Sequence, residues 1–282
     1  MQNSSGNPLQ KHFRQPQIFL KLPSGGRWWG KDNLDLPPTG EIPIYAMTAK
    51  DELLLKTPDA LLNGQSTVDV IQSCCPSIKN AWMMPLIDLD SVLIGIRQAT
   101  YGNEMEITSV CTHCGSQNES ALDLSIYNGT ITCPDYGRSL IIDNLEFYFK
   151  PITYKIYNDN SVRNFEEQRL LQSIENSGNL SDNEKAEKFS EMFRNILDMT
   201  INQMVDNIAA IKTVDGTTVT DRTFINEFFQ NCEKETWNTV KKHLDEFAEI
   251  NQLRHIKLTC ENTDCTKEYE TPLVFELANF FG

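Results

Sequence analysis

Apolar residues recur along this chain in two rhythms, and the change from one to the other divides it. Up to about residue 158 the apolar runs are short and broken by Gly, Pro and Ser. Ile18-Phe19-Leu20-Lys21-Leu22 predicts a strand, and Pro23-Ser24-Gly25-Gly26 a turn after it. Gly40 to Met47 predicts a second strand, with Pro43 arguing for a sheet edge. Thr48-Ala49-Lys50-Asp51 has the form of a capping box ahead of Leu53, Leu54 and Leu55. Thr57-Pro58 suits another helix start, and Ser66-Thr67-Val68-Asp69 repeats the capping pattern before Val70-Ile71. The strongest helix of this half is Asp88 to Tyr101, with Leu89, Val92, Leu93 and Ile96 on one face. Gly102 is placed to end it, and Arg97 suits the negative end of its dipole or a partner contact. Ile107 to Val110 predicts a strand. Arg138 to Asp143 and Leu145 to Tyr157 predict a strand pair turning at Asp143-Asn144.

From about 159 to 254 the period becomes helical. Phe165, Leu170, Leu171 and Ile174 predict a helix over Val162 to Asn176, and Asn176-Ser177-Gly178-Asn179 breaks it. Ser181-Asp182-Asn183-Glu184 is a capping box for a helix expected to run to about Ala210. Asp215-Gly216 predicts a hairpin turn within Ile211 to Val219. Thr220-Asp221 caps a helix carrying Phe224, Ile225, Phe228 and Phe229, and a last helix covers about Lys234 to Leu253. The Met and aromatic stripes are expected in a core.

Two cysteine clusters flank this helical segment, Cys111-Thr112-His113-Cys114-Gly115 and Cys260-Glu261-Asn262-Thr263-Asp264-Cys265. Each follows a predicted strand and precedes polar, turn-rich chain. Both spacings belong to zinc ligand pairs, and a Gly after the second thiolate permits the tight turn such a knuckle needs. A redox Cys-x-x-Cys belongs at a strand-to-helix junction, which Gly115-Ser116-Gln117-Asn118 does not supply. Cys111, Cys114, Cys260 and Cys265 are therefore the candidate ligands of one structural Zn2+, with Cys133 or His113 as alternatives at one position. Four thiolates leave no open coordination site for catalysis.

Composition narrows the function. The chain has 282 residues, 40% of them apolar, which suffices for a sizeable core. A net charge of −14 opposes nucleic acid and anionic membranes and favours protein partners. No run approaches the ~20 apolar residues of a membrane span, and the first residues lack an apolar signal core. A cytoplasmic chain is expected, in which eight cysteines point to metal ligation or buried thiols rather than disulfides. The four histidines form no triad or metalloprotease pattern, and no Gly-rich phosphate loop occurs.

Several of these motifs fall in a recurring order: Leu22-Pro23-Ser24-Gly25-Gly26, Met47-Thr48-Ala49-Lys50-Asp51-Glu52, Gly64, Arg97 with Tyr101-Gly102, then Cys111 and Cys114. In that order and spacing, over about residues 20 to 155, the chain resembles the baseplate hub assembly proteins of T4-like contractile-tailed phages. The resemblance implies a non-enzymatic virion protein of the tail baseplate. It would assemble in the host cytoplasm, contact other baseplate or hub proteins and take no small-molecule substrate. The competing expectation is a zinc-ribbon protein that binds nucleic acid in phage transcription, against which the charge argues.

The expected fold class is α+β: a mixed N-terminal domain, a split four-cysteine zinc ribbon and a mainly helical insertion. The expected boundaries are a disordered arm over 1–17, the N-terminal domain over 18–110, the first ribbon half with a hairpin over 111–158, the acidic helical insertion with a small hairpin over 159–254, and the second ribbon half with the tail over 255–282. Partner contacts are expected at the adjacent Trp28 and Trp29, of which one can pack while the other lies outside, and at Phe280 and Phe281 of the tail.

Overall fold

The computed structural model describes residues 9, 12–56, 64–128, 130–176, 182–251 and 256–271. In chain order the elements are β1 (Pro16–Lys21), β2 (Glu41–Tyr45), α1 (Ala49–Leu55), α2 (Gln65–Cys74), α3 (Leu86–Tyr101), β3 (Glu104–Val110), β4 (Gln117–Asp123), the single turn α4 (Ser125–Asn128), β5 (Leu140–Ile142) and β6 (Leu145–Phe149). Then follow α5 (Tyr154–Asn176), α6 (Asp182–Asp206), β7 (Ile208–Lys212), β8 (Thr218–Val219), α7 (Arg222–Asn231), α8 (Lys234–Asn251), β9 (Ile256–Thr259) and β10 (Glu268–Thr271). The class is α+β, as the two apolar rhythms imply. The helix start at Thr57-Pro58, the break and capping box over 177–181, and Phe280 and Phe281 lie outside the described residues.

The chain divides into two compact units. One takes Met1–Ala81, Asp88–Ile131 and Leu253–Gly282, the other Trp82–Ile87 and Thr132–Gln252.

The first unit is built from separate antiparallel pairs, β1–β2, β3–β4 and β9–β10, and the helices beside them. Pro43 sits opposite Phe19 in a two-stranded sheet that consists only of edges, where its missing N–H costs no ladder bond. Chain that the sequence assigned to the arm is held here. Pro16 and Gln17 belong to β1, and the Arg14 guanidinium donates to the Ser73 carbonyl (2.6 Å) and hydroxyl (2.8 Å), to the Ala46 carbonyl and to the Asp51 carboxylate (3.4 Å). The Thr48–Asp51 capping box forms and starts α1. The second capping pattern does not act as one. Gly64, at φ 72°, turns the chain into α2, and Ser66 and Thr67 lie buried inside its first turn. The Ser66 hydroxyl donates instead to the Leu54 carbonyl at 3.0 Å, tying α2 to α1. Helix α3 ends at Gly102, whose N–H reaches the Gln98 carbonyl at 3.0 Å with φ +88°. A Cβ on Gly95 would stand 2.5 Å from Ile44 Cδ1, so this glycine lets α3 approach β2.

The second unit wraps helices around one sheet of order β5-β6-β7-β8. Asp143 and Asn144 (φ 46° and 66°) make the two-residue turn of the β5–β6 hairpin, as expected. The strand predicted to Tyr157 stops at Phe149. Pro151 removes a donor, the Thr153 hydroxyl accepts from Ile156 N–H at 3.4 Å, and α5 begins at Tyr154. Helix α6 likewise ends at Asp206 rather than near Ala210, because β7 pairs with β6, Phe147 facing Ile211. The core gathers Phe147, Phe149, Ile201, Met204, Val205, Ile225, Phe229, Val240 and Phe247. Of the apolar stripes expected in a core, Ile174, Met192, Ile201, Met204, Ile225, Phe229, Val240 and Phe247 are buried, whereas Phe165, Leu170, Phe193, Ile196, Leu197, Phe224 and Ile250 are exposed. Asp221 caps α7, accepting from Thr223 N–H at 2.7 Å.

Candidate metal centre

Two hairpins deliver the four cysteines. β3 ends at Val110 and hands over Cys111, and β9 ends at Thr259 and hands over Cys260. The loops that follow are built alike. Cys111 N–H donates to Ser116 O (2.9 Å) and Cys260 N–H to Lys267 O (3.0 Å), closing each loop at its base. Behind the second cysteine of each loop the backbone turns left-handed, at Gly115 (φ 73°) and at Thr266 (φ 46°). The first knuckle uses the residue made for that region, whereas the second forces a β-branched one into it.

The loops bring Cys111, Cys114, Cys260 and Cys265 together, with all four Sγ atoms within 4.8 Å of one another. Across the two hairpins, Cys111 Sγ lies 3.9 Å from Cys265 Sγ and Cys114 Sγ lies 3.6 Å from Cys260 Sγ. A disulfide needs ~2.05 Å, so these are not bonded pairs. Tetrahedral thiolates at ~2.3 Å from a zinc stand ~3.8 Å apart, which the two distances bracket. The donor set and its spacing thus fit a closed tetrahedral metal. Electrostatics favour a thiolate at the rim. Hydrogen bonds from Ser116 draw the exposed Cys114 thiol down to about 6, while burial pushes Cys260 up to about 11.

The alternatives for one ligand position are placed elsewhere. The His113 Nε2 meets the Glu268 carbonyl at 3.0 Å, and Cys133 lies outside the cluster, its thiol 3.3 Å from the Pro134 carbonyl.

Polar contacts that the sequence did not disclose stitch the two halves together. The Tyr269 hydroxyl, buried, is 2.6 Å from Ser109 Oγ and accepts from Asn118 Nδ2 at 3.1 Å. The Asn118 Oδ1 accepts from Glu261 N–H at 2.8 Å, and Asn262 Nδ2 donates to Ser116 Oγ at 2.9 Å. An Asn two residues past a knuckle Ser carries no motif, so only the pairing of distant strands exposes it.

The adjacent tryptophans part ways. Trp29 is 2% exposed and donates through Nε1 to Asp88 Oδ2 at 2.8 Å. Its ring is core, which removes it from any docking surface. Trp28 is half-buried, with the Arg27 guanidinium 4.5 Å from its ring. Asp88 is the hub that sequence reasoning missed. It is fully buried in the first turn of α3 and takes Ser24 N–H (2.7 Å), Ser24 Oγ (2.6 Å) and Trp29 Nε1. Burial raises its carboxyl, and these three donors offset part of the rise. The Leu22 to Gly26 turn is thereby pinned to α3.

No helix among the described residues is long and apolar enough to cross a membrane. A sequence model of the family described as T4 bacteriophage base plate protein matches residues 15–282. No curated protein sequence and no solved structure matches the chain.

Proposed function

The chain belongs to the T4 bacteriophage base plate protein family, and from that premise we propose a non-enzymatic structural or assembly protein of the baseplate hub that acts through protein–protein contacts around a structural zinc. The match over nearly the whole chain supports a place in the phage tail. The four sulfurs gathered within 4.8 Å are the observation that carries the metal. Cys111, Cys114, Cys260 and Cys265 would hold it, and a zinc with four thiolates contributes folding free energy and no open position for a reaction.

In this proposal the split ribbon closes the chain on itself after a helical insertion, so that one cation joins segments distant in sequence. Assembly takes place in the host cytoplasm, before the tail is complete. Trp28 and the aromatic tail at Phe280 and Phe281 supply contacts with other baseplate or hub proteins.

Metal analysis of the purified chain tests the centre. About one zinc per chain is expected, lost together with cooperative thermal unfolding of the ribbon in Cys260→Ser. A metal-free protein, or a Cys260→Ser variant as stable as the parent, sinks the zinc. Gradient fractionation of infected-cell lysates tests the hub. Co-sedimentation with hub intermediates is expected, and recovery apart from every tail component refutes the assignment.

A further inference from the structure

The four thiols form two pairs, each with one sulfur more accessible and one deep inside. Cys114 is exposed, and 3.6 Å from its sulfur lies that of Cys260, which is 3% exposed. Cys265 is half-buried, and 3.9 Å from its sulfur lies that of Cys111, which is 2% exposed. Both contacts run from one hairpin to the other, between positions 146 and 154 apart in the chain. Bonds that involve no sulfur hold the same hairpins in register. Tyr269 meets Ser109 and Asn118, Asn118 meets Glu261 N–H, and Asn262 meets Ser116. The cross-hairpin sulfurs are thus kept side by side by more than a cation.

We propose that the centre is a redox-convertible clip: hydrogen peroxide turns the zinc thiolates into the disulfides Cys114–Cys260 and Cys111–Cys265, so that the ribbon stays closed when the metal leaves. The inference rests on the zinc reading given above. Cys114 is the sulfur that an oxidant reaches first. Its thiolate attacks one peroxide oxygen, the O–O bond breaks, and a sulfenic acid forms with release of hydroxide. The Cys260 thiolate then attacks that sulfur, expels a second hydroxide and forms the S–S bond. One peroxide is reduced for each pair of thiolates oxidised. The pair left over is too few ligands to hold a zinc that needs four. A second peroxide joins Cys265 to Cys111 by the same steps. Closing each contact to the ~2.05 Å of a disulfide asks for a shift of under ~2 Å, shared between two side chains. A link inside one loop, Cys111 to Cys114 or Cys260 to Cys265, would release the metal and leave the hairpins unjoined. The two states suit two surroundings. A reducing cytoplasm keeps the thiolates, and with them the zinc, during assembly. A released tail stands in an oxidising medium, where disulfides persist.

Titration of the purified, zinc-loaded full chain with hydrogen peroxide tests it, read by a chromogenic zinc chelator and by mass spectrometry of alkylated, unreduced digests. Zinc should appear in step with thiol loss, with about two peroxides consumed per chain. The digests should show Cys114 joined to Cys260 first and Cys111 to Cys265 second, with the fully buried Cys74 and Cys75 unchanged. A strong chelator should lower the thermal midpoint of the reduced chain by about 10 °C or more and leave that of the oxidised chain unmoved. Dithiothreitol with added zinc should restore the starting state. Cys265→Ser keeps the first pair and should yield the Cys114–Cys260 link alone. Should that variant fail to fold, the wild-type digest decides. Links within one loop or between chains, sulfinic acid without a disulfide, or an oxidised ribbon that opens each overturn the proposal. A chain that purifies without zinc refutes the zinc reading instead, and the same digest of its peroxide-treated thiols still decides the pairing.

Discussion

The two units bury their chain by opposite means. Among the described residues, nine of the eleven buried polar side chains (Ser24, Asp51, Ser66, Thr67, Asp88, Ser91, Gln98, Ser109 and Asn118) fall in the first unit, and only Thr236 and His243 in the second. The second unit relies on area instead, with four buried Phe rings at its centre. The contrast follows from sheet size. A two-stranded pair cannot exclude water by itself, so a unit made of three such pairs needs directional links. Asp88, the Arg14–Asp51 contact, the Tyr269 cluster and the four thiols are those links. A four-stranded sheet with helices packed on it closes a continuous apolar core and needs few.

Phe147 is fully buried against Phe228 and Phe229. Phe147→Ala should cost about 3–5 kcal/mol, measured by denaturant titration. A cost below about 1 kcal/mol would mean that the sheet is not held by this ring. The matching cut in the first unit is Arg14→Leu. It strands the Asp51 carboxylate, which is 3% exposed and keeps only Ser73 and the Thr48 cap as donors. An expected loss of about 2–4 kcal/mol comes mostly from that uncompensated charge. Adding Asp51→Asn should therefore recover part of the loss, an outcome no apolar contact produces. Additive losses in the double variant would remove the electrostatic explanation.

How much of this was legible in the sequence depends on how local each device is. The Thr48 capping box, the Gly102 helix stop, the Asp143-Asn144 turn and the two cysteine knuckles are each written within a few residues, and all are found in place. Ser24 and Asp88 lie 64 positions apart, and Arg14 reaches Ser73 across 59. Neither pair shares a motif, so Asp88 passed for the start of a helix and Arg14 for part of an arm. Ser66-Thr67 shows the converse error. Its letters match a cap, but Gly64 had already turned the chain, leaving the hydroxyl free for Leu54. Leu145 to Tyr157 misled for a third reason, since aromatic and β-branched residues suit strand and helix alike until Pro151 and Thr153 impose the break. The family resemblance rested on the same positions. Leu22 to Gly26, Thr48 to Asp51, Gly64 and Gly102 are turns, caps and anchor points of the first unit, which explains why their order carries information although none is an active-site motif.

The two units also respond to acid with opposite signs. In the first unit, burial pushes Asp90 up to about 6. The fold then binds this proton more tightly than the unfolded chain does, so stability is highest below pH ~4, falls between ~4 and ~6, and is flat above. The loss amounts to at most about 3 kcal/mol. Asp90→Asn should remove the slope and leave the variant the more stable protein at pH 8. In the second unit, burial against Phe149 and Phe247 depresses His243, with Glu246 opposing and Arg138 reinforcing the shift. The sign is opposite. Unfolded chain takes up the proton first, so stability falls as pH drops below the ordinary histidine value. His243→Gln should flatten that acid limb and leave the neutral range untouched. The two slopes oppose one another over the same window in the parent, so unfolding titrations of each variant across about pH 4 to 8 separate them, and an Asp90→Asn or His243→Gln profile that runs parallel to the parent's refutes the corresponding assignment.

The smallest effect tests the likeness of the two knuckles. Gly115 and Thr266 occupy the same place behind the second cysteine of each loop, both with positive φ. Only glycine is at ease there, and a β-branched residue loses about 1–2 kcal/mol by adopting it. Thr266→Gly should recover that strain and give back about 0.5–1 kcal/mol through the greater freedom of the unfolded chain. The net expectation is a gain of under about 1 kcal/mol in thermal stability, with unchanged metal content. Gly115→Thr is the reverse experiment. Nothing lies within 4 Å of a Cβ built at Gly115, so its cost is the backbone term alone and should equal the gain at Thr266 with opposite sign. If instead Thr266→Gly destabilises, its side chain holds the second loop by a contact that the first loop lacks, and the two halves of the ribbon are alike in path but not in what keeps them there.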